Sequence, residues 1–405
     1  MAANMTFKRI PILLSVLILM LPLTGCWDRR EMNELAISLG MGIDRVGKKY
    51  VVTVQVVNPS QIAGQKGSGS NESPVRTYTA EGPTVYEAIR KMTIASPRKI
   101  YAAHLRVLIF GEGMARQGIG KSIDLLSRDY ELRTDFFLLV ARGTTAAHAL
   151  NILTPLERIP ANKLYRSIET SEKAWAPVTT VTLDEFVNDI VSKGKNPVIS
   201  GIRLTGTEDG GSSTDNIKTT RPAIQLENNG LAVFRKDKLV GWLSEMESKG
   251  YNYIINNVTS TVGHVSCPNG GNLALEVVRA DSKMKGTVKE GRPHLSVELR
   301  VEENVGEVEC SIDLTKVRSI QELEKRAEER LTRIIRRSLD AGQKKYKSDF
   351  FGFGNAVHRS NPGYWKAVQK DWDERFEDAV IDVKVNVKIK RTGTVTNSFM
   401  EDKEE

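Results

Sequence analysis

The residues of this chain with the types and spacing for chemistry are five histidines, three cysteines and one Gly-Lys-Ser run. His104, His148, His264, His294 and His358 stand apart. None falls in an HExxH pattern and none pairs with cysteine at metal-ligand spacing, so no zinc centre is expected. No GxSxG elbow marks a serine nucleophile. The run from Ala115 to Ser122 (ARQGIGKS) ends as a phosphate-cradling loop does, and it follows an apolar stretch at 105–110. Its first position is Ala115 rather than glycine, and no apolar strand ending in Asp follows to hold magnesium. It reads as a glycine turn before a helix, and no cofactor or nucleotide is expected. Cys267 and Cys310 could close a disulfide or serve as two small buried hydrophobes.

Cys26 carries the most specific chemistry. Lys8 and Arg9 precede an apolar run over 10–23, and Leu23-Thr24-Gly25-Cys26 follows. A run of about 14 residues is short for a span, which needs about 20, and suits a signal-peptide core. The tetrapeptide resembles a bacterial lipobox, in which the thiol takes a diacylglyceryl group and cleavage leaves the cysteine first. Residues 1–25 are therefore expected to be a lipoprotein signal peptide, and Cys26 the lipidation site. Their removal takes away Lys8 and Arg9, so +8 − 2 leaves the mature chain at +6.

The elements that must position these residues follow from composition and pattern. With 58 Lys+Arg against 50 Asp+Glu, 40% hydrophobic and 27% charged residues, the 405-residue chain is a folded protein of two or three domains. A polytopic membrane protein, a collagen and a wholly disordered chain are excluded. Basic and acidic residues are interspersed without aromatic-basic clusters, which argues against nucleic acid. Strands are expected at 50–58, 104–110, 136–141, 231–234, 238–243, 295–301, 308–314 and 381–389. Helices are expected where Val85, Ala88, Ile89 and Met92 share a face, over 119–126, and behind the Thr182 and Glu185 capping box. A long helix over 319–345 carries the stripe Ile320, Leu323, Ala327, Leu331, Ile334, Ile335 and Leu339, and its charged face (EKRAEER) reads as solvated. The fold class expected is α+β: several domains of mixed, mostly antiparallel sheets flanked by helices. The division expected is an N-terminal region over 26–204, with room for two subdomains, a polar linker or loop at 205–225, a C-terminal domain over 226–394 and a tail at 395–405.

Phe350, Phe351 and Phe353 interleave with Gly352 and Gly354, and Trp365, Trp372 and Phe376 follow. The tryptophans, on one shorter helix, read as core. The glycine-flanked Phe351 and Phe353 are candidate contacts for a partner, because a turn can expose what a helix buries.

The ordered set of motifs is similar to a known family. Cys26-Trp27-Asp28-Arg29-Arg30-Glu31, then Ala103-His104-Leu105-Arg106-Val107-Leu108-Ile109-Phe110-Gly111 with Arg128-Asp129, then Gly230-Leu231-Ala232-Val233-Phe234 and Lys238-Leu239-Val240-Gly241, and finally Phe351-Gly352-Phe353-Gly354 with Pro362, Trp365, Trp372, Phe376 and Lys390-Arg391-Thr392-Gly393 resemble the Ger(x)C family. These are the C-subunit lipoproteins of bacterial spore germinant receptors. The resemblance implies a non-enzymatic subunit on the outer leaflet of the inner spore membrane, with integral-membrane A and B subunits as partners and several α+β domains. The alternative is a solute-binding lipoprotein of an importer, for which doubly wound βα units in two lobes are expected; the meander-like second half argues against it.

Overall fold

The structure is a computed structural model and describes residues 32–59, 73–206, 210–267 and 270–393. Cys26, the segment 1–25 and the tail 395–405 lie outside the described residues.

Nine strands make the first sheet: β1 (Leu35–Val46), β2 (Lys49–Val57), β3 (Val75–Gly82), β4 (Lys99–Tyr101), β5 (Val107–Gly111), β6 (Phe137–Ala141), β7 (Val198–Gly206), β8 (Ile224–Arg235) and β9 (Lys238–Leu243). Their order is β3-β2-β1-β5-β6-β7-β8-β9, with β4 pairing beside the start of β1. β1, β5, β6 and β7 run parallel; antiparallel hairpins extend both flanks. The parallel centre is where uninterrupted apolar runs belong, because both faces are covered. Every residue of β5 (VLIFG) and β6 (FLLVA) is buried. Alternate side chains go to opposite faces. Leu108 and Phe110 join α1 (Val85–Lys91), α3 (Gly120–Arg128) and α6 (Leu183–Val191) on one face. Val107 and Ile109 join α4 (Ala146–Asn151) and α5 (Pro160–Ala174) on the other. The short α2 (Glu112–Gln117) follows β5 directly. Two polar side chains fix the second face: the Asp44 carboxylate accepts from the N–H groups of Ala146 and Ala147 (2.9 Å each), and Gln55 bonds Leu150 O and Ala161 N. A carboxylate at a helix start satisfies donors the helix itself cannot.

The second sheet has the order β10 (Thr261–Ser266), β11 (Asn272–Lys289), β12 (Arg292–Val308) and β13 (Val380–Arg391). Its first two pairs are antiparallel and β12–β13 is parallel. A parallel return needs a long crossover. Here it carries α9 (Val317–Asp340), α10 (Phe353–Ser360), α11 (Pro362–Val368) and α12 (Trp372–Glu377), which with α8 (Glu245–Ile254) cover one sheet face. The other face places Lys283, Glu298 and Lys384 side by side in register. The remaining helix, α7 (Asp215–Lys218), is one turn between β7 and β8.

The α+β class of mixed sheets flanked by helices stands, and three expectations are corrected. Of the two readings of 205–225, linker or loop, the pairing of the strands on either side favours the loop. β7 and β8 pair antiparallel on either side of this stretch, from Val198↔Val233 to Gly206↔Ile224, so it is a connection inside the first sheet. Asn216 pins it from within by donating to Leu153 O and Ile224 O. β8 and β9, expected to open the second domain, finish the first sheet: β8 pairs with the edge of β7, and β9 with β8. The stretch 308–314 is not a strand past Val308: Cys310, Ile312 and Leu314 pack on the core without a ladder partner. Trp365 and Trp372 lie on two helices rather than one.

The charged face of α9 is also not simply solvated. The Glu324 and Glu328 carboxylates accept from the N–H groups of Ile389 (3.0 Å) and Val387 (3.1 Å), covering the outer edge of β13. Arg330 reaches under the helix to the fully buried Glu303 at 2.6 Å. An edge strand left open invites pairing with another chain. The paired substitution Glu324→Ala with Glu328→Ala should lower stability by about 1–3 kcal/mol, as unpaired buried donors do, and promote self-association. Thermal unfolding and size-exclusion chromatography check this; an unchanged melt with a single elution peak would count against edge protection.

Candidate functional site at the junction of the two sheets

The turn after α9 meets the first sheet at one buried carboxylate. Asp349 is fully buried. Its Oδ1 accepts from the N–H groups of Phe351 (3.1 Å) and Gly352 (2.9 Å); its Oδ2 accepts from Gly354 N–H (2.7 Å) and Trp372 Nε1 (2.9 Å). Burial pushes the carboxyl up to about 6, against the N–H donors that favour the anion. Its main-chain carbonyl accepts from Asn196 N–H at 2.7 Å, and Asn196 lies in the segment leading into β7. Asn355 N–H donates to Gly194 O, Ser192 Oγ lies 3.0 Å from Asn355 Oδ1, and Asn196 Nδ2 donates to Asp373. The two backbones pass so closely that a Cβ on Gly354 would meet Gly194 Cα at 2.6 Å. Gly352 has φ 94°, the left-handed conformation open to glycine.

This geometry decides the aromatic turn. Phe351 is 2% exposed and Phe353 0%. Their expected role as partner contacts is therefore corrected: the turn wraps around the Asp349 carboxylate and turns both rings inward. Phe350, Phe351, Phe353 and Phe376 form a cluster with Tyr251 of α8. Trp365 and Trp372 are buried, as expected, though from two helices, and meet edge to face at 5.4 Å. Further ties run alongside. Tyr346 Oη donates to Trp242 O, Arg235 donates to the carbonyls of Tyr346 and Lys347, and Asn252 donates to Ala176 O and Val178 O.

The other sequence candidates fall elsewhere. In the Gly-Lys-Ser run, Gly120 N–H donates to the Asp237 carboxylate at 3.1 Å, so an acidic side chain sits where a phosphate would have to go. Lys121 points to solvent. Cys267 and Cys310 form a disulfide with Cα atoms 6.4 Å apart, closing the edge of the second sheet onto the segment before α9. Among the described residues, no group of three His, Cys, Asp or Glu side chains is placed to hold a metal ion. Sequence reasoning missed a cleft of about 520 Å³ between α8, β10 and α9. It is lined by Lys249, Arg326, Arg330, Arg333 and Arg337, with Glu245 and Glu329 between them. Lys249 stacks on Trp175, its Nζ 3.2 Å from the ring centroid. α8 was also missed, although Ser244 and Glu247 form the same kind of capping box as Thr182 and Glu185.

A two-sheet α+β body, with no metal-binding group of His, Cys, Asp or Glu among its described residues, is the class these features define. Comparison with known proteins narrows it. Residues 28–204 match the family described as "Spore germination protein N-terminal domain", and residues 229–393 match "Spore germination B3/ GerAC like, C-terminal". The chain is 32% identical over 394 residues to spore germination protein KC of Bacillus subtilis (strain 168), covering 95% of this chain and 97% of that one. It is 26% identical over 390 residues to spore germination protein A3 of the same organism, covering 94% and 98%. The crystal structure of the GerBC protein shares the fold at TM-score 0.52 and 18% identity, covering 89% of this chain and 99% of that one. The chain belongs to the GerAC-like family of spore germination proteins. The two family matches divide within 205–228, whereas the first sheet runs on to Leu243, so the C-terminal family segment lends a hairpin to the N-terminal sheet.

Two outcomes follow. Asp349→Asn replaces an acceptor of N–H groups by an amide that must turn its own donors on them, and should cost about 3 kcal/mol or more at pH 7. Because the folded-state pKa lies above the unfolded value, the native state holds the extra proton between about 4 and 6. Asp349's contribution is therefore greatest at low pH and falls as pH rises through that window. Denaturant melts of both proteins at pH 4, 5, 6 and 7 should show wild type losing ground to Asp349→Asn as pH rises; a constant gap would contradict the titration. Lys121→Ala should leave folding and germination unchanged, and saturable ATP binding abolished by it would overturn the reading of the Gly-Lys-Ser run.

Proposed function

We propose that this protein is the lipid-anchored, non-enzymatic subunit of a nutrient germinant receptor, required for spore germination. Cys26 carries the acyl chains and holds the folded body on the outer leaflet of the inner spore membrane. The A and B integral-membrane subunits are its partners there. The observation that carries the reading is the ordered match of both germination-family segments, over 28–204 and 229–393, directly behind a lipobox. Two acyl chains anchor far more firmly than one, at about 0.8 kcal/mol per buried methylene, so a diacylated Cys26 suffices to retain the chain. The spore germination proteins KC and A3, similar over nearly their whole length, support the germination role.

The direct experiment is recovery of the tagged, lipidated protein from spore membranes. The A and B subunits should co-purify; an importer's ATPase and permease in their place would sink the receptor reading in favour of a solute-binding lipoprotein. Cys26→Ala should leave an unacylated precursor, fail to incorporate labelled fatty acid and weaken or abolish nutrient-triggered germination. Normal acyl labelling of that variant would contradict the assignment of Cys26.

A further inference from the structure

The β1–β2 turn exposes Val46 at one end of the first sheet, whereas Ile94, Tyr130 and Tyr86 stay uncovered at the other, where β1 begins. β1, β4, β5 and β6 are parallel, so their first residues share that end: Leu35 lies opposite Lys99, and Gly40, Val107 and Phe137 follow in register. The segments leading into β4 and β6 therefore project from it. The first carries Ile94, 87% exposed, and the second Tyr130, 86% exposed; Tyr86 of α1 is 48% exposed beside them. Tyr86 and Tyr130 flank a groove of about 280 Å³ lined by Met41, Ile89, Ile100 and Leu132. The surrounding charge nearly cancels. Residues 85–104 and 124–135 hold six Lys/Arg (Arg90, Lys91, Arg98, Lys99, Arg128, Arg133) and five Asp/Glu (Glu87, Asp124, Asp129, Glu131, Asp135).

The chain enters the fold at this same end. Leu35 begins β1, nine residues after Cys26 in the sequence, a reach of at most about 30 Å when extended. The opposite end of β1 lies a further 35–40 Å or so away, at about 3.3 Å per residue. A chain held at Cys26 therefore brings the Ile94–Tyr130 end within reach of the bilayer more readily than the β1–β2 turn.

We propose that this end is a second membrane contact, lying on the lipid interface with Ile94 and Tyr130 inserted among the headgroups. The inference rests on acylation of Cys26. Tyrosine suits the position because its ring is apolar and its hydroxyl stays wet. Near-neutral charge makes the contact apolar in origin, so it holds at high salt and needs no anionic lipid.

The test uses the full lipidated chain. Cys26 is acylated and Cys267 is bridged to Cys310, so one added cysteine is the sole free thiol among these positions. Ile94→Cys, Tyr130→Cys and Lys48→Cys, the last in the β1–β2 turn, are each labelled with an environment-sensitive fluorophore. The proteins are reconstituted, without other subunits, in phosphatidylethanolamine–phosphatidylglycerol vesicles containing a headgroup-level nitroxide lipid. Fluorophores at 94 and 130 should be quenched, at low and high salt alike, and the one at 48 should not. Equal quenching at all three positions, or none at 94 and 130 in a chain that carries its acyl label, would overturn the proposal alone and leave the groove to a protein partner. A chain without acyl label would overturn the anchoring reading, and this proposal with it.

Discussion

One buried carboxylate constrains the rest of the molecule. Asp349 is fully buried and finds its partners in the protein; an unpaired charge at such depth is not tolerated. Its four donors come from the turn that follows it and from Trp372. Meeting them bends the chain into a tight loop, which accounts for Gly352 in the left-handed region and turns the phenylalanines inward. The loop's outer side then faces the segment before β7, where Gly194 and Gly354 allow backbone contact that no side chain would permit. The requirement that buries a charge thus also docks the second sheet on the first.

That junction has a consequence for function. A molecule whose two halves keep a fixed relation presents its surfaces as one body. The Asn196–Asp349 bond, the Tyr346–Trp242 bond and the hairpin that the C-terminal family segment lends to the first sheet all tie the halves together. The aromatic turn serves this internal joint and leaves neither Phe351 nor Phe353 exposed.

Much of this architecture was readable from the residues. Apolar runs at β5 and β6, the stripe of α9, the Thr182 capping box and the alternation of β13 each encode their own element locally. The residues missed or misplaced depend on what a segment meets in space. Phe351 and Phe353 look exposable in a glycine-rich turn until the demand of Asp349 for donors is known. Glu324, Glu328 and Arg330 look solvated on a helical wheel until a sheet edge and Glu303 appear beneath them. The polar stretch 205–225 reads equally as a linker or a loop, because composition carries no information about the partner of β7. Cys26 is the opposite case: the resemblance to a lipobox is a linear pattern, read from the sequence alone, and the residue lies outside the described residues.

The claim that Asp349 makes one cooperative body of two sheets is tested most directly by native-state hydrogen exchange on the mature chain. The amides of Phe351, Gly352 and Gly354, and that of Asn196 across the junction, should exchange only through global unfolding, with the same opening free energy as Ile109 and Leu139 at the centre of the first sheet. Exchange of the four junction amides through a much cheaper local opening, while Ile109 and Leu139 stay protected, would contradict the account and leave two independently stable sheets in loose contact.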